Sequence, residues 1–206
     1  MVYLPPHFTE TREDVLLAHI ERHDFGLLIT QGGGLIASQV PFLVERRDGK
    51  LYLLGHLARA NPQCAALDAG EALAIFHGPH AYVSPSWYEA GPAVPTWNYA
   101  SVHAYGTPRV IGERDWLTSL LRRLSVRHEA REAVPWRMDD QPAAYLAGML
   151  GGIVGFEIAV SRLEGKFKLS QNRPSGDRPR IIAALEARGG DDARGVARLM
   201  REREKR

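Results

Sequence analysis

Cysteine is almost absent from this chain. Cys64 is the only one in 206 residues, so no internal disulfide can form and a reducing, cytoplasmic setting is expected. Long apolar runs are missing too. No stretch approaches the roughly 20 residues that a membrane helix needs. The opening Met1-Val2-Tyr3-Leu4-Pro5-Pro6-His7-Phe8 lacks the basic start and apolar stretch of a signal peptide, so no membrane partner is expected. Neither sign of charge dominates. The 26 basic and 24 acidic residues leave a net +2, which excludes a global field aimed at nucleic acid or membrane. No P-loop, dinucleotide fingerprint or nucleophile elbow is present, and no helix carries a histidine pair at i, i+4, so hydrolytic and metal chemistry have no motif to rest on. What the chain does have is 45% hydrophobic residues. At this length it can bury roughly 70% of its unfolded surface. One main domain over residues 1–176 with a C-terminal helical extension over 177–206 is expected.

Hydroxyl and acidic residues before Val15, Leu16, Leu17, His19 and Ile20 predict a helix that starts from a Thr9 or Thr11 cap and ends near His23. Gly26 to Gln31 reads as a strand, Gly32-Gly33-Gly34 as a reversal, and Leu35 to Val44 as a second strand interrupted by Pro41. Asp48-Gly49 tolerates the positive φ of a tight hairpin before Leu51-Tyr52-Leu53-Leu54. Asn61-Pro62 predicts a cap and first turn, with a helix from Gln63 to Ala69 that Gly70 stops. Two short strands, Ala72 to His77 and His80 to Ser84, are expected around Gly78-Pro79. An aromatic-rich loop, Pro85 to Tyr99, should then precede a strand from Ser101 to Ile111. Helical spacing covers Glu113 to about Arg131 and Tyr145 to Leu150. Gly155 to Val160 and Arg162 to Leu169 read as two further strands, and Asp177 to Ala187 and Ala193 to Arg203 as terminal helices parted by Gly189-Gly190. Short antiparallel strands without a β-α-β rhythm predict a mainly β (α+β) fold, a barrel with helices at its ends. Such a sheet closes on itself or pairs across a two-fold axis, so a homodimer is expected.

Three stretches carry candidate chemistry. Gly55 to Pro62 places His56, Arg59 and Asn61 at a strand-to-helix passage, where backbone amides and a guanidinium could hold a phosphate or simply form a capped surface turn. Pro95-Thr96-Trp97-Asn98-Tyr99 sets two aromatic faces beside a hydroxyl and an amide, which suits a flat cofactor and equally suits a packed barrel mouth. Lys166 to Arg173 ends a strand in polar residues that either edge a site or satisfy their own turn. His77, His80 and His103 are the imidazoles best suited to haem, and no set of metal ligands is completed around them.

Five ordered motifs together resemble the PaiB family of FMN-binding proteins: Gly55-His56-Leu57-Ala58-Arg59-Ala60-Asn61-Pro62-Gln63, Phe76-His77-Gly78-Pro79-His80-Ala81-Tyr82-Val83-Ser84, Pro95-Thr96-Trp97-Asn98-Tyr99, Gly151-Gly152-Ile153-Val154-Gly155-Phe156 and Lys168-Leu169-Ser170-Gln171-Asn172-Arg173. The likeness covers essentially the whole chain. It implies an FMN-binding split β-barrel with peripheral and C-terminal helices, a homodimer with FMN at the subunit interface, and a role as a flavin-dependent oxidoreductase or sensor linked to transcriptional regulation. By position it implies His56, Arg59 and Asn61 at the FMN phosphate, Ser38 and Gln39 along the isoalloxazine, and Trp97, Asn98 and Tyr99 near the dimer cleft. No catalytic residue is implied, because the flavin carries the redox chemistry. The chain departs from the family where Gln39 replaces a frequent His and Cys64 a frequent Trp. Two other readings stand beside this one. A regulator could bind DNA without flavin through the basic residues Arg194, Arg198, Arg201, Arg203, Lys205 and Arg206, and a split barrel could bind haem through His77, His80 or His103.

Overall fold

The computed structural model describes residues 2–89 and 91–204. In chain order the elements are β1 (Thr9–Glu10), α1 (Glu13–Arg22), β2 (Phe25–Gln31), β3 (Leu35–Pro41), β4 (Leu43–Arg47), β5 (Lys50–Ala58), a 3-10 turn (Pro62–Ala66), β6 (Ala72–Val83), β7 (Thr96–Ile111), α2 (Arg114–Glu129), α3 (Ala143–Gly151), β8 (Ile153–Lys168), α4 (Asp177–Arg188) and α5 (Asp191–Glu204). The strands form one antiparallel sheet in the order β3-β2-β6-β7-β8-β5-β4, with β1 added on β8.

The hairpin signals hold. Asp48 (φ 49°) and Gly49 (φ 77°) make the two-residue turn that sets Arg47 opposite Lys50. β3 and β4 part at Phe42, whose N–H donates to the Asp24 carbonyl at 2.8 Å while its ring is wholly buried.

Five expectations are corrected. Thr9 does not cap a helix. It pairs with Lys166 in β1, its hydroxyl donates to the Pro5 carbonyl, and α1 begins only at Glu13. The helix expected from Gln63 to Ala69 is a five-residue 3-10 turn. β6 runs unbroken through Gly78-Pro79: a Cβ on Gly78 would lie 2.4 Å from His19 Cε1 and 3.2 Å from the Ala100 carbonyl, so this glycine serves close packing and not a reversal. Likewise β7 starts at Thr96, inside the expected loop, and β8 is a single 16-residue strand in which Ser161 donates to the Tyr105 carbonyl instead of turning the chain.

The chain clusters into two compact units. One comprises the chain up to His19, His77–His103 and everything from Glu164 onward; the other comprises Ile20–Phe76 and Ala104–Leu163. The first packs Phe8, Leu16, Phe167, Leu169, Ile181, Leu185, Val196 and Met200 beneath α4 and α5. The second packs Phe42 edge-on against Phe76 and Phe156, with centroids 5.4 and 6.1 Å apart, and closes Leu43, Leu54, Leu120 and Leu124 under Tyr52 and Trp116.

Candidate functional site

In the second unit the segment after β5 is tied down from both sides. Asn61 caps the 3-10 turn, its Oδ1 accepting from Gln63 N at 2.9 Å, while its Nδ2 donates to Ser38 Oγ at 2.9 Å. Gln63 is completely buried. Its Nε2 shares its hydrogens among the Leu28 carbonyl (3.1 Å), Thr30 Oγ1 (3.1 Å) and the Ile36 carbonyl (3.2 Å), fastening the turn to β2 and β3. Nothing in sequence reading singled out Gln63, because its partners lie 27 to 35 residues away.

Arg59 is held as firmly. Its N–H donates to the Gly152 carbonyl at 2.8 Å, its Nε to the Gly151 carbonyl at 2.8 Å and its Nη2 to the Ile153 carbonyl at 2.9 Å. The group is exposed, and among the described residues no acceptor takes the two hydrogens of Nη1. His56 is half-buried opposite Gly155 of β8. Its Nδ1 is buried without a partner, and burial pushes its pKa down, which favours the neutral imidazole. The anion reading therefore changes its basis. The amides of Gln63 and Cys64 are already taken by the Asn61 side chain and carbonyl, and a five-residue turn has no helix dipole to offer. What remains is an oriented guanidinium with an unpartnered imidazole nitrogen on the same segment. Strand alternation puts Ser38, half-buried beside Asn61, on the opposite face of β3 from the exposed Gln39.

In the first unit, β6 and β7 present an aromatic and imidazole face. Trp97 is 53% exposed, its ring centroid 6.1 Å from His80 and 6.0 Å from Tyr82, and His80 stands 5.0 Å from His77. Lys166 Nζ lies 5.7 Å from the Tyr99 ring, and Lys168 Nζ donates to the Trp97 carbonyl at 2.6 Å. Asn98 points the other way. It is wholly buried and exchanges hydrogen bonds with Ser170 Oγ, so it fixes the strand that carries Trp97 and Tyr99. Ser101 Oγ is buried without a partner on the next turn of the pleat. Burial lowers the pKa of His103, opposed by Glu164 and reinforced by His77 and Lys166. The segment after β8 proves to be a self-satisfied turn: Gln171 accepts from Leu169 N and donates to the Phe167 carbonyl.

The C-terminal arginines are largely spent within this unit. Arg201 is paired with Glu186, Arg203 with Glu10 and Arg198 with Glu202, while Lys205 and Arg206 lie outside the described residues. Among the described residues no three His, Cys, Asp or Glu side chains gather to hold a metal, and no helix is long and apolar enough to cross a membrane.

Comparison with known proteins bears on the family and the fold. Residues 2–162 match the family described as "Putative FMN-binding domain". Over 207 residues the chain is 35% identical to the "Protease synthase and sporulation protein PAI 2" of Bacillus subtilis (strain 168), covering 100% of this chain and 99% of that one. Two solved structures are similar at low identity. The flavocytochrome Anf3 from Azotobacter vinelandii superposes with a TM-score of 0.62 at 12% identity, over 80% of this chain and 72% of that one. The FAD and heme binding protein from Mycobacterium smegmatis does so with a TM-score of 0.56 at 17% identity, over 88% and 80%. These likenesses speak for the fold alone, which is a split β-barrel with peripheral and C-terminal helices.

Proposed function

The chain belongs to the FMN-binding-domain family of the PaiB type, and on that premise we propose that it is a cytoplasmic homodimer that binds FMN and uses it as a redox group or redox sensor coupled to transcriptional regulation. The observation that carries this reading is the Arg59 anchorage. A guanidinium locked by two carbonyl bonds, on a residue whose backbone N–H is tied to a third carbonyl, and open at Nη1 is pre-organised for a phosphate and loses little side-chain entropy on binding one. The orphaned Nδ1 of His56 and the Ser38 hydroxyl, set in place by Asn61, supply polar contacts of the kind a flavin's phosphate, ribityl chain and ring require. Gln39 and Trp97, both exposed, and the half-buried Tyr99 are the groups proposed to border the ring, with Asn98 as the residue that positions its neighbours. Bound FMN would supply the hydride and single-electron chemistry.

The dimer is supported by the outer face of the β2–β3 hairpin. Register aligns Gln39, Leu27 and Ile75 in one row and Ala37, Ile29 and Leu73 in the next. Phe25 and Leu35 on the same face are 65% and 81% exposed. A face this apolar suits burial against a second copy.

The test is FMN titration followed by quenching of flavin fluorescence, alongside light scattering for mass. Arg59→Met removes a charge-assisted bond worth about 1.5–3 kcal/mol and should weaken FMN about 10- to 150-fold. Ile29→Glu should give a monomer. A wild-type protein that ignores FMN, or an Arg59→Met variant that binds it equally well, defeats the proposal. The DNA reading has Arg198, Arg201 and Arg203 committed to carboxylates, and the haem reading has only the exposed His77–His80 pair and the half-buried His103 to draw on.

A further inference from the structure

Five segments of the first unit converge on a shallow cavity of about 310 Å³ lined by Thr9, Glu10, Arg12, Gln171, Arg178 and Arg203. Its charge is unbalanced. Three guanidinium groups face one carboxylate, and that carboxylate is saturated: Glu10 takes Arg12 at 2.9 and 2.6 Å and Arg203 at 2.6 Å. Arg178, in the first turn of α4, makes no side-chain hydrogen bond or ion pair among the described residues, and its Nε is buried without an acceptor. The nearest carboxylate in sequence, Asp177, is committed to Arg173 and to the Glu89 amide. Gln171 spends its amide on the Leu169 and Phe167 backbone, and the Thr9 hydroxyl donates to the Pro5 carbonyl. The unused donors in the cavity are therefore guanidinium N–H groups. No side chain caps the adjoining end of α4, so its positive end adds to the same field.

We propose that this cavity binds a small phosphate-bearing dianion, inorganic phosphate or a phosphomonoester, at a site separate from that of the flavin. The excess of two positive charges matches a dianion, which would neutralise it, whereas a single carboxylate would leave half of it uncompensated. Planar guanidinium forks grip phosphate oxygens in pairs, and a buried Nε with no protein acceptor is the donor such an oxygen would satisfy.

Isothermal titration of the full chain with sodium phosphate and with glycerol phosphate, each against sodium chloride at equal ionic strength, tests this. The expected result is saturable binding of one anion per chain. Binding should be at least tenfold weaker in Arg178→Met, restored in part by Arg178→Lys, and unchanged in Arg131→Met, an exposed arginine outside both sites. Circular dichroism and thermal melting check that the variants fold, and Arg178→Met without phosphate should melt no lower than wild type because it removes an unpartnered charge. Tighter binding of glycerol phosphate would identify an ester as the ligand, and equal or tighter binding of inorganic phosphate would identify the free ion. Three outcomes overturn the proposal: no binding, binding equal in wild type and Arg178→Met, or loss of FMN binding in Arg178→Met, which would make the cavity the flavin's own phosphate site. Failure of the flavin reading leaves this titration untouched, since FMN is needed only in that last control.

Discussion

Replacing Glu10 by Gln removes the carboxylate on which β1, the chain before α1 and the end of α5 converge. Glu10 is buried, and burial alone would raise its pKa. The side-chain and backbone bonds from Arg12 and the charges of Arg203 and Arg12 outweigh that penalty and hold the pKa at about 2, from an ordinary 4.5. At about 1.4 kcal/mol for each tenfold change in proton affinity, the ionised form contributes about 3 kcal/mol to folding at neutral pH. Water beside the half-exposed Arg12 brings this nearer 2 kcal/mol. The sign follows from the direction of the change. A carboxyl depressed in the folded state stabilises above pH 4.5, and that stability drains away as pH falls from 4.5 towards 2. Urea unfolding of wild type and Glu10→Gln at pH 7 and pH 2.5 measures it. The gap should be about 2–3 kcal/mol at pH 7, shrink strongly at pH 2.5, and narrow in 1 M salt. A gap of the same size at both pH values would refute the assignment of that stability to an ionised Glu10.

Gly106→Ala places a Cβ 2.1 Å from the Ala159 carbonyl oxygen, a backbone atom that cannot rotate away. Overpacking there should cost about 1–3 kcal/mol and lower the melting temperature by several degrees, which a thermal scan would show. Asn61→Ala loses both the cap on Gln63 and the bond to Ser38, about 1–2 kcal/mol by urea unfolding, whereas Asn61→Asp keeps the cap and should recover most of that. His56, whose pKa burial pushes below 6.5, binds a proton more readily in the unfolded chain. Stability should therefore fall as pH drops below 6.5, and the slope between pH 7 and 5 should be shallower in His56→Gln. Equal slopes in the two proteins would contradict that burial effect.

Much of the architecture was legible in short-range signals. Asp48-Gly49 fixed its hairpin because the required φ angles belong to those two residues alone, and Gly189-Gly190 parted α4 from α5 for a similar reason. The long strands were not legible. Gly78-Pro79 and Gly106-Thr107-Pro108 look like breaks, yet Gly78 and Gly106 answer to His19 and Ala159, residues more than fifty positions away. The candidate site divides in the same way. Arg59 and Asn61 stood out by residue type. The inward turn of Asn98 depends on Ser170 and Met200, and Gln63 owes its importance to carbonyls on another hairpin. Local chemistry nominates a residue, but only the tertiary partner decides which way it faces.

The tether from Arg59 to the last carbonyl of α3 would couple the proposed phosphate binding to backbone protection at a distance. An anion that pulls the guanidinium outward competes with the acceptors at Gly151 and Ile153 and so loosens the corner where α3 hands over to β8. Deuterium uptake by the amides around residues 151–153 would then register occupancy of the cradle with no label on the ligand at all.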